Sequence, residues 1–155
     1  MNPPNTSRED IMRASRKIVS EKGLPALNMR ALAKECGIAL GTLYNYYLDK
    51  DELVVAAIES VWQDILEKSA PDSRVSFSQY VTQTYAHIVE KLKDYPDFLA
   101  AHSVSVAGSV KGKARGMMER CFGKIRSELH EVLMNDKNVD RSVFSDIFCE
   151  ENLIE

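Results

Sequence analysis

Three residues, Ala33, Gly37 and Leu43, set the tightest limit on what this chain can fold into. Two helices that cross at close range need a small residue where one passes over the other, a turn residue that tolerates positive φ, and an aliphatic plug on the second helix. Ala33, Gly37 and Leu43 meet those needs in that order, and Leu32, Ile38 and Tyr47 fill the other inward positions. The stretch from Asn28 to Asp51 therefore reads as a helix-turn-helix. Asn28 caps a helix running to about Cys36, the turn falls at Gly37, and the next helix covers about Leu40 to Tyr47.

The flanking sequence supplies more helices and no strands. Thr6 or Ser7, with Glu9 or Asp10 closing a capping box, starts a helix over about residues 7–22. Its apolar stripe is Ile11, Ala14, Ile18 and Val19, and Gly23 with Pro25 ends it. Asp49 caps a long helix, with Glu52 completing a second box and the stripe ending near Ala70-Pro71-Asp72. Ser76 and Gln79 open a fifth helix, and Pro96 suits the first turn of a sixth, running to about Val106. Gly108 to Gly116 reads as a loop, about 114–134 as a seventh helix, and Val143 to Leu153 as the opening of an eighth. With no strand-like alternation and no repeat, the class is all-α: a three-helix head, residues 1–50, followed by a helical body, residues 51–155.

Charge separates the two parts. Residues 1–50 hold eight Lys/Arg against five Asp/Glu, whereas the whole chain has a net charge of −3. A basic segment carrying the turn motif, on an acidic remainder, is the footprint of a nucleic-acid-binding head. There is no run of about 18 apolar residues to span a membrane, and the N-terminus lacks a secretion signal. Cys36, Cys121 and Cys149 are odd in number and far apart, as expected of reduced thiols in the cytoplasm. Cysteines and histidines show no metal-ligand spacing, and no catalytic group can be assembled, so the expectation is no enzyme, no metal and no cofactor. Lys111, Lys113, Arg115, Arg120, Lys124 and Arg126 form a basic cluster that is either a solvated face or an anion site.

A short second helix must enter a major groove by its N-terminal half. Gly41 lets backbone approach DNA closely, or simply loosens the helix start. Thr42 reaches a base edge or phosphate, or caps the helix. Tyr44 is divided between core and DNA, and Asn45 points outward as a base or phosphate contact. Tyr46 offers a hydroxyl to a phosphate while its ring packs on the helix. Lys50 combines its ammonium with the free N–H groups of a helix start, which suits a phosphate. Tyr47 is assigned to the core.

The segment from Gly37 through Leu53, GIALGTLYNYYLDKDEL, resembles the signature of the tetracycline-repressor (TetR) family of bacterial transcription regulators. Ile11, Ala14, Gly23 and Asn28-Met29-Arg30-Ala31-Leu32-Ala33 fit the same pattern, and the match covers roughly residues 8–58. Two positions depart from it. Leu40 stands where the family often has a polar or basic residue, so base reading there would be apolar, against a thymine methyl. Asn28 stands where threonine is frequent, and its amide can still donate to a phosphate.

The resemblance implies a regulator, by family habit a repressor, that binds double-stranded DNA at a palindromic operator as a homodimer and is released by a small-molecule effector. It implies a ligand pocket among helices four to seven. Trp62, Tyr80, Thr84, His87, Phe98, His102, Met117 and Cys121 are its candidates, each weighed against an ordinary core role. It also implies two long C-terminal helices that pair with a partner. Here the first of them would be cut off at Glu155, so the chain reads as truncated or differently associated, with Phe144, Ile147, Phe148 and Leu153 partly bare. The competing expectation is a helical sensor or adaptor whose turn motif no longer binds DNA.

Overall fold

Seven α-helices and no strand are present among the described residues of the computed structural model, which are 6–67, 75–107, 111–145 and 149 (backbone only at 104–107 and 111–114). The first helix, α1 (Arg8–Lys22), starts on a reciprocal box. The Ser7 hydroxyl accepts from the Asp10 N–H at 3.1 Å, and the Asp10 carboxylate accepts from the Ser7 N–H at 3.0 Å. α1 stops at Gly23, whose φ of 78° turns the chain while its N–H donates to the Val19 carbonyl at 2.9 Å. Pro25 then sits in a 3-10 turn, Leu24–Ala26.

Asn28 caps α2 (Met29–Cys36) by accepting from the N–H groups of Arg30 and Ala31 at 3.1 and 3.0 Å. α2 closes on a Schellman motif. The Ile38 N–H reaches the Ala33 carbonyl at 3.0 Å and the Gly37 N–H reaches that of Lys34 at 3.2 Å, with Gly37 left-handed at φ 66°. α3 (Leu40–Tyr44) is shorter than the expected helix to Tyr47. Asn45 and Tyr46 donate to Thr42 and Leu43 in tighter i→i−3 bonds, because the chain must turn within a few residues to reach extended Asp49 (φ −149°).

Asp49 caps α4 (Lys50–Leu66) by accepting from the Glu52 N–H at 2.7 Å. The second capping box does not close. The Glu52 carboxylate instead takes the Leu48 N–H at 2.7 Å, one residue further out, and so ties down the turn before the helix. α4 also ends at Leu66, ahead of the expected stop; residues 68–74, including Ala70-Pro71-Asp72, lie outside the described residues.

α5 (Phe77–Leu92) starts on the expected Ser76/Gln79 box. α6 (Phe98–Ala107) begins two residues after Pro96, since Asp97 at φ 57° breaks the helical path between them. α7 (Lys111–Asn135) is helical from Lys111, so residues 111–116 are not loop. The helix formers around Gly112 and Gly116 outweigh those two glycines; residues 108–110 lie outside the described residues. Val143 does not open an α-helix. It ends a 3-10 turn, Arg141–Val143, and Phe144 is extended. The Arg141 guanidinium folds back to cap the Leu133 and Met134 carbonyls at 2.6 and 3.0 Å. Ile147, Phe148 and Leu153 lie outside the described residues.

α5 runs antiparallel along α7. The Phe77 N–H donates to Asp136 at 2.7 Å near one end of the pair, and the Tyr80 hydroxyl donates to Glu128 at 2.8 Å further along. One apolar core runs unbroken from Ile11 in α1, through Leu32, Leu43 and Tyr47, to Ile58, Phe98 and Met117. It crosses the expected boundary at residue 50, so head and body share an interior.

Candidate nucleic-acid interface

The head holds α3 by one plug. Leu43 is wholly buried, and Ala33 of α2 and Tyr47 beyond α3 are buried in the same core. With that face inward, the opposite face of α3 is presented outward. Gly41, Tyr44 and Asn45 are exposed, and Leu40 and Thr42 are half-buried beside them. Tyr44 is 48% exposed, which removes it from the core. Asn28, Arg30, Lys34 and Lys50 are exposed. The last three make no ion pair among the described residues, unlike Lys17, which bridges to Glu35 at 2.5 Å and ties α1 to α2.

Three of the predicted contacts have commitments within the protein. The Asn28 side-chain oxygen is spent on the cap, and one amide proton goes to the Ala26 carbonyl at 3.1 Å, leaving the other proton for a ligand. The Tyr46 hydroxyl donates to the Thr6 carbonyl, so a phosphate must displace that bond to receive its proton. Lys50 begins a helix whose first turn also holds Asp51 and Glu52, with Asp49 as its cap; those carboxylates oppose an anion at the helix terminus. The pairing of Lys50 with a phosphate therefore rests on the reach of its exposed ammonium.

Two residues with a bearing on this surface were missed from sequence. Arg8 donates to the Tyr46 carbonyl at 2.9 Å and lies 5.2 Å over the Tyr47 ring, clamping the start of α1 to the turn after α3. A cation in the first turn of a helix opposes the dipole, and that mismatch was the available signal of a tertiary partner. Leu48, 83% exposed, stands beside the same surface; its position just outside α3 and α4 gave no periodic cue.

Of the eight body residues predicted to line a pocket, Trp62, Phe98, Met117 and Cys121 share the apolar core. Trp62, Phe98 and His102 are in direct ring contact, with Phe122 added: Trp62 lies 5.6 Å from Phe98, 5.8 Å from His102 and 5.1 Å from Phe122 between centroids. Burial pushes His102 below the ordinary imidazole range, so it is neutral at pH 7. Tyr80 and Thr84 are buried further along α5, where Tyr80 is engaged by Glu128. Burial first, then that carboxylate, pushes the Tyr80 phenol up to about 12. Met117 and Cys121 touch each other on α7 at 3.8 Å between sulfurs. Burial pushes the Cys121 thiol up to about 11, which keeps it protonated and unreactive at neutral pH. His87 on α5 is half-buried. A cleft of about 460 Å³ lies elsewhere, between α1, α4 and α7; Arg16, Asp64, Arg120, Lys124 and Glu128 line it, and Cys121 alone of the eight candidates reaches it.

Head and body meet through polar contacts around these groups. Arg16 of α1 donates to the Ser60 hydroxyl of α4, and Ser20 of α1 donates to the Asp94 carbonyl, in the turn before α6, at 2.6 Å. Tyr95, next to Asp94, donates to Asp64 of α4 at 2.9 Å. No group of three metal-ligating side chains, and no helix long and apolar enough to cross a membrane, is found among the described residues.

Comparison with known proteins addresses the head directly. Residues 11–57 match the family model described as bacterial regulatory proteins, tetR family. An uncharacterized HTH-type transcriptional regulator of Haemophilus influenzae is 34% identical over 95 residues, covering 59% of this chain and 50% of the relative. The HTH-type transcriptional regulator UidR of Escherichia coli K12 is 29% identical over 86 residues, 55% of this chain and 44% of the relative. PksA of Bacillus subtilis, also an HTH-type transcriptional regulator, is 31% identical over 61 residues, 39% of this chain and 30% of the relative. The chain thus spans about half the length of the first two relatives, or less. The family match thus falls on the head, residues 11–57, the part that holds Ala33, Gly37, Leu43 and the outward-facing α3.

Proposed function

We propose that this protein is a cytoplasmic DNA-binding transcriptional regulator, a repressor, that reads a palindromic operator as a homodimer and is released by a small molecule bound in its body. The observation that carries the DNA reading is the outward face of α3. Leu40, Gly41, Thr42, Tyr44 and Asn45 lie together on a short helix whose other side is locked into the core by Leu43. The ion-pair-free cations Arg30, Lys34 and Lys50 accompany that face. In this reading Gly41, Thr42, Asn45 and Leu40 meet base edges, while Asn28, Tyr46 and Lys50 meet phosphates. Tyr44 is free to stack on either. An effector acts by favouring one arrangement of α4, which packs on α1, and α6, which packs on the 3-10 turn after α1, and so changes the spacing of two heads.

Gel-shift titration on DNA flanking the protein's own gene, across a salt series, tests the DNA reading. Binding is expected to prefer that DNA over random duplex and to weaken steeply as salt rises. Asn45→Ala is expected to relax base preference, and Lys50→Ala to weaken binding to all sequences alike. Equal, weak binding to every duplex, unchanged in both variants, refutes the DNA reading and returns the chain to a helical sensor. Solution mass with and without operator tests the dimer.

A further inference from the structure

We propose, resting on the effector-binding reading above, that the body accepts an uncharged aromatic molecule bearing a hydrogen-bond acceptor, seated against Trp62 and flanked by His87 and His102. Trp62 is 7% exposed, and its indole nitrogen is buried with no hydrogen-bond partner among the described residues. An indole N–H can only donate, so whatever completes it must accept. The Nε2 atoms of His87 and His102 are buried without partners in the same way. Three unpartnered nitrogens in one region of a small body are unusual, since buried polar groups are nearly always satisfied.

Two contacts show that these groups lie level with one another. Tyr80 of α5 meets Glu128 of α7, and the helices are antiparallel. Two turns along α5 from Tyr80 comes His87, and two turns back along α7 from Glu128 comes Cys121, beside Phe122. Phe122 is in ring contact with Trp62, and Trp62 with His102. The three nitrogens therefore sit on α4, α5 and α6 around one level of the bundle.

The surroundings select against charge. The acidic side chains that flank Trp62 along α4 are already matched: Glu59 with Arg120 at 2.8 Å, and Asp64 with Tyr95 at 2.9 Å. Burial disfavours an imidazolium at His102, so an acid gains no ion pair from that ring. An organic cation would leave the indole N–H unanswered. Phe98, His102 and Phe122 also pack on Trp62 at steep angles of 67°, 82° and 60°, and do not form an open box of ring faces. A neutral imidazole offers either a proton or a lone pair at Nε2, according to tautomer, so the histidines adapt to donors or acceptors while Trp62 fixes the acceptor.

Trp62 is the sole tryptophan, so its emission reports directly on this region. The full chain is titrated with benzamide, benzoate, benzylammonium and toluene, which share a ring and differ in charge and in having an acceptor. A saturable emission change with benzamide is expected, at a Kd at least tenfold below those of the other three. Trp62→Phe, followed by calorimetry, is expected to weaken benzamide about tenfold and leave toluene unchanged. His102→Phe, which retains the Trp62 signal, is expected to weaken benzamide several-fold. Preference for benzoate or benzylammonium, or toluene binding as well as benzamide, overturns the proposal. So does the lack of a saturable response to any of the four by protein of undiminished helicity, in which case water completes the nitrogens. A parallel gel shift keeps the two readings apart: benzamide binding without operator binding overturns the regulator alone, and operator binding without benzamide binding overturns this inference alone.

Discussion

Gly41→Ala should make the free protein more stable and its DNA complex weaker. Gly41 is the second residue of α3 and is not among the positive-φ glycines, Gly23 and Gly37. A Cβ built on it meets nothing within 4 Å, so the added methyl meets no clash in the free protein. Alanine is favoured over glycine by roughly 1 kcal/mol in a helix interior, and somewhat less near a helix start, which gives an expected gain of about 0.5–1 kcal/mol. For a chain of 155 residues, that corresponds to a Tm rise of about 1–4 °C. On DNA the same open space is where groove atoms must come. A methyl in a close backbone approach holds the helix off by more than a hydrogen bond tolerates, and the loss expected is about tenfold in operator affinity, or ~1.4 kcal/mol. Circular-dichroism melting and gel shifts at one fixed salt concentration read the two effects separately. A raised Tm with unchanged operator affinity refutes close approach at Gly41; a lowered Tm refutes the helical, unobstructed backbone assigned to it.

Gly37→Ala should cost about 0.5–1.5 kcal/mol in urea unfolding, because φ 66° strains an L-residue although its Cβ also meets open space, and Gly37→Asn should cost less. Leu43→Ala removes the wholly buried plug between α2 and α3 and should cost about 2–5 kcal/mol, with operator binding lost before the body melts. Lys50→Ala should leave the melting temperature within a degree or two while reducing the slope of log K against log salt by about 1, the mark of one lost phosphate contact. Because burial lowers the folded-state pKa of His102, the stability this provides is present above its unfolded pKa of about 6.5 and is lost as pH falls through the lower folded value; His102→Phe should flatten that part of the stability profile in acid urea titrations.

What could be read from sequence was what local chemistry decides. Ser7 with Asp10, Asn28, Asp49 and Ser76 with Gln79 start helices because their side chains reach N–H groups two or three residues away, and such short reach is written in the spacing. Gly37 was legible for the same reason. The errors fall where a group had a choice of partners. Glu52 could close a box on Asp49 or reach Leu48, and both lie within one side chain's length. Residues 111–116 hold two glycines among helix formers, and composition did not show which would prevail. On the head, the outward side of α3 followed from the buried Leu43, whereas the bond from Tyr46 to Thr6 spans 40 positions and left no local trace.

The body was less legible because the sequence pattern of a core side chain and of a pocket-lining one is the same. Tyr80 and Thr84 point inward yet lie where Glu128 completes the phenol, so their polarity is consumed by the fold. Trp62 and His102 have buried nitrogens with no partner among the described residues. Burial alone does not separate those cases; the hydrogen-bond accounting does. α4 carries Lys50 at its first residue and Trp62 twelve positions on, a rise of about 18 Å along one uninterrupted helix. The turn before α6 adds a second route, with Asp94 bonded to Ser20 of α1 and Tyr95 to Asp64 of α4. A molecule that moves Trp62 against His102 therefore bears on two helices that each reach the head. If these routes carry the coupling, Tyr95→Phe, which removes the α4 bond and keeps the ring, should change benzamide's effect on operator affinity more than it changes the affinity for either molecule alone.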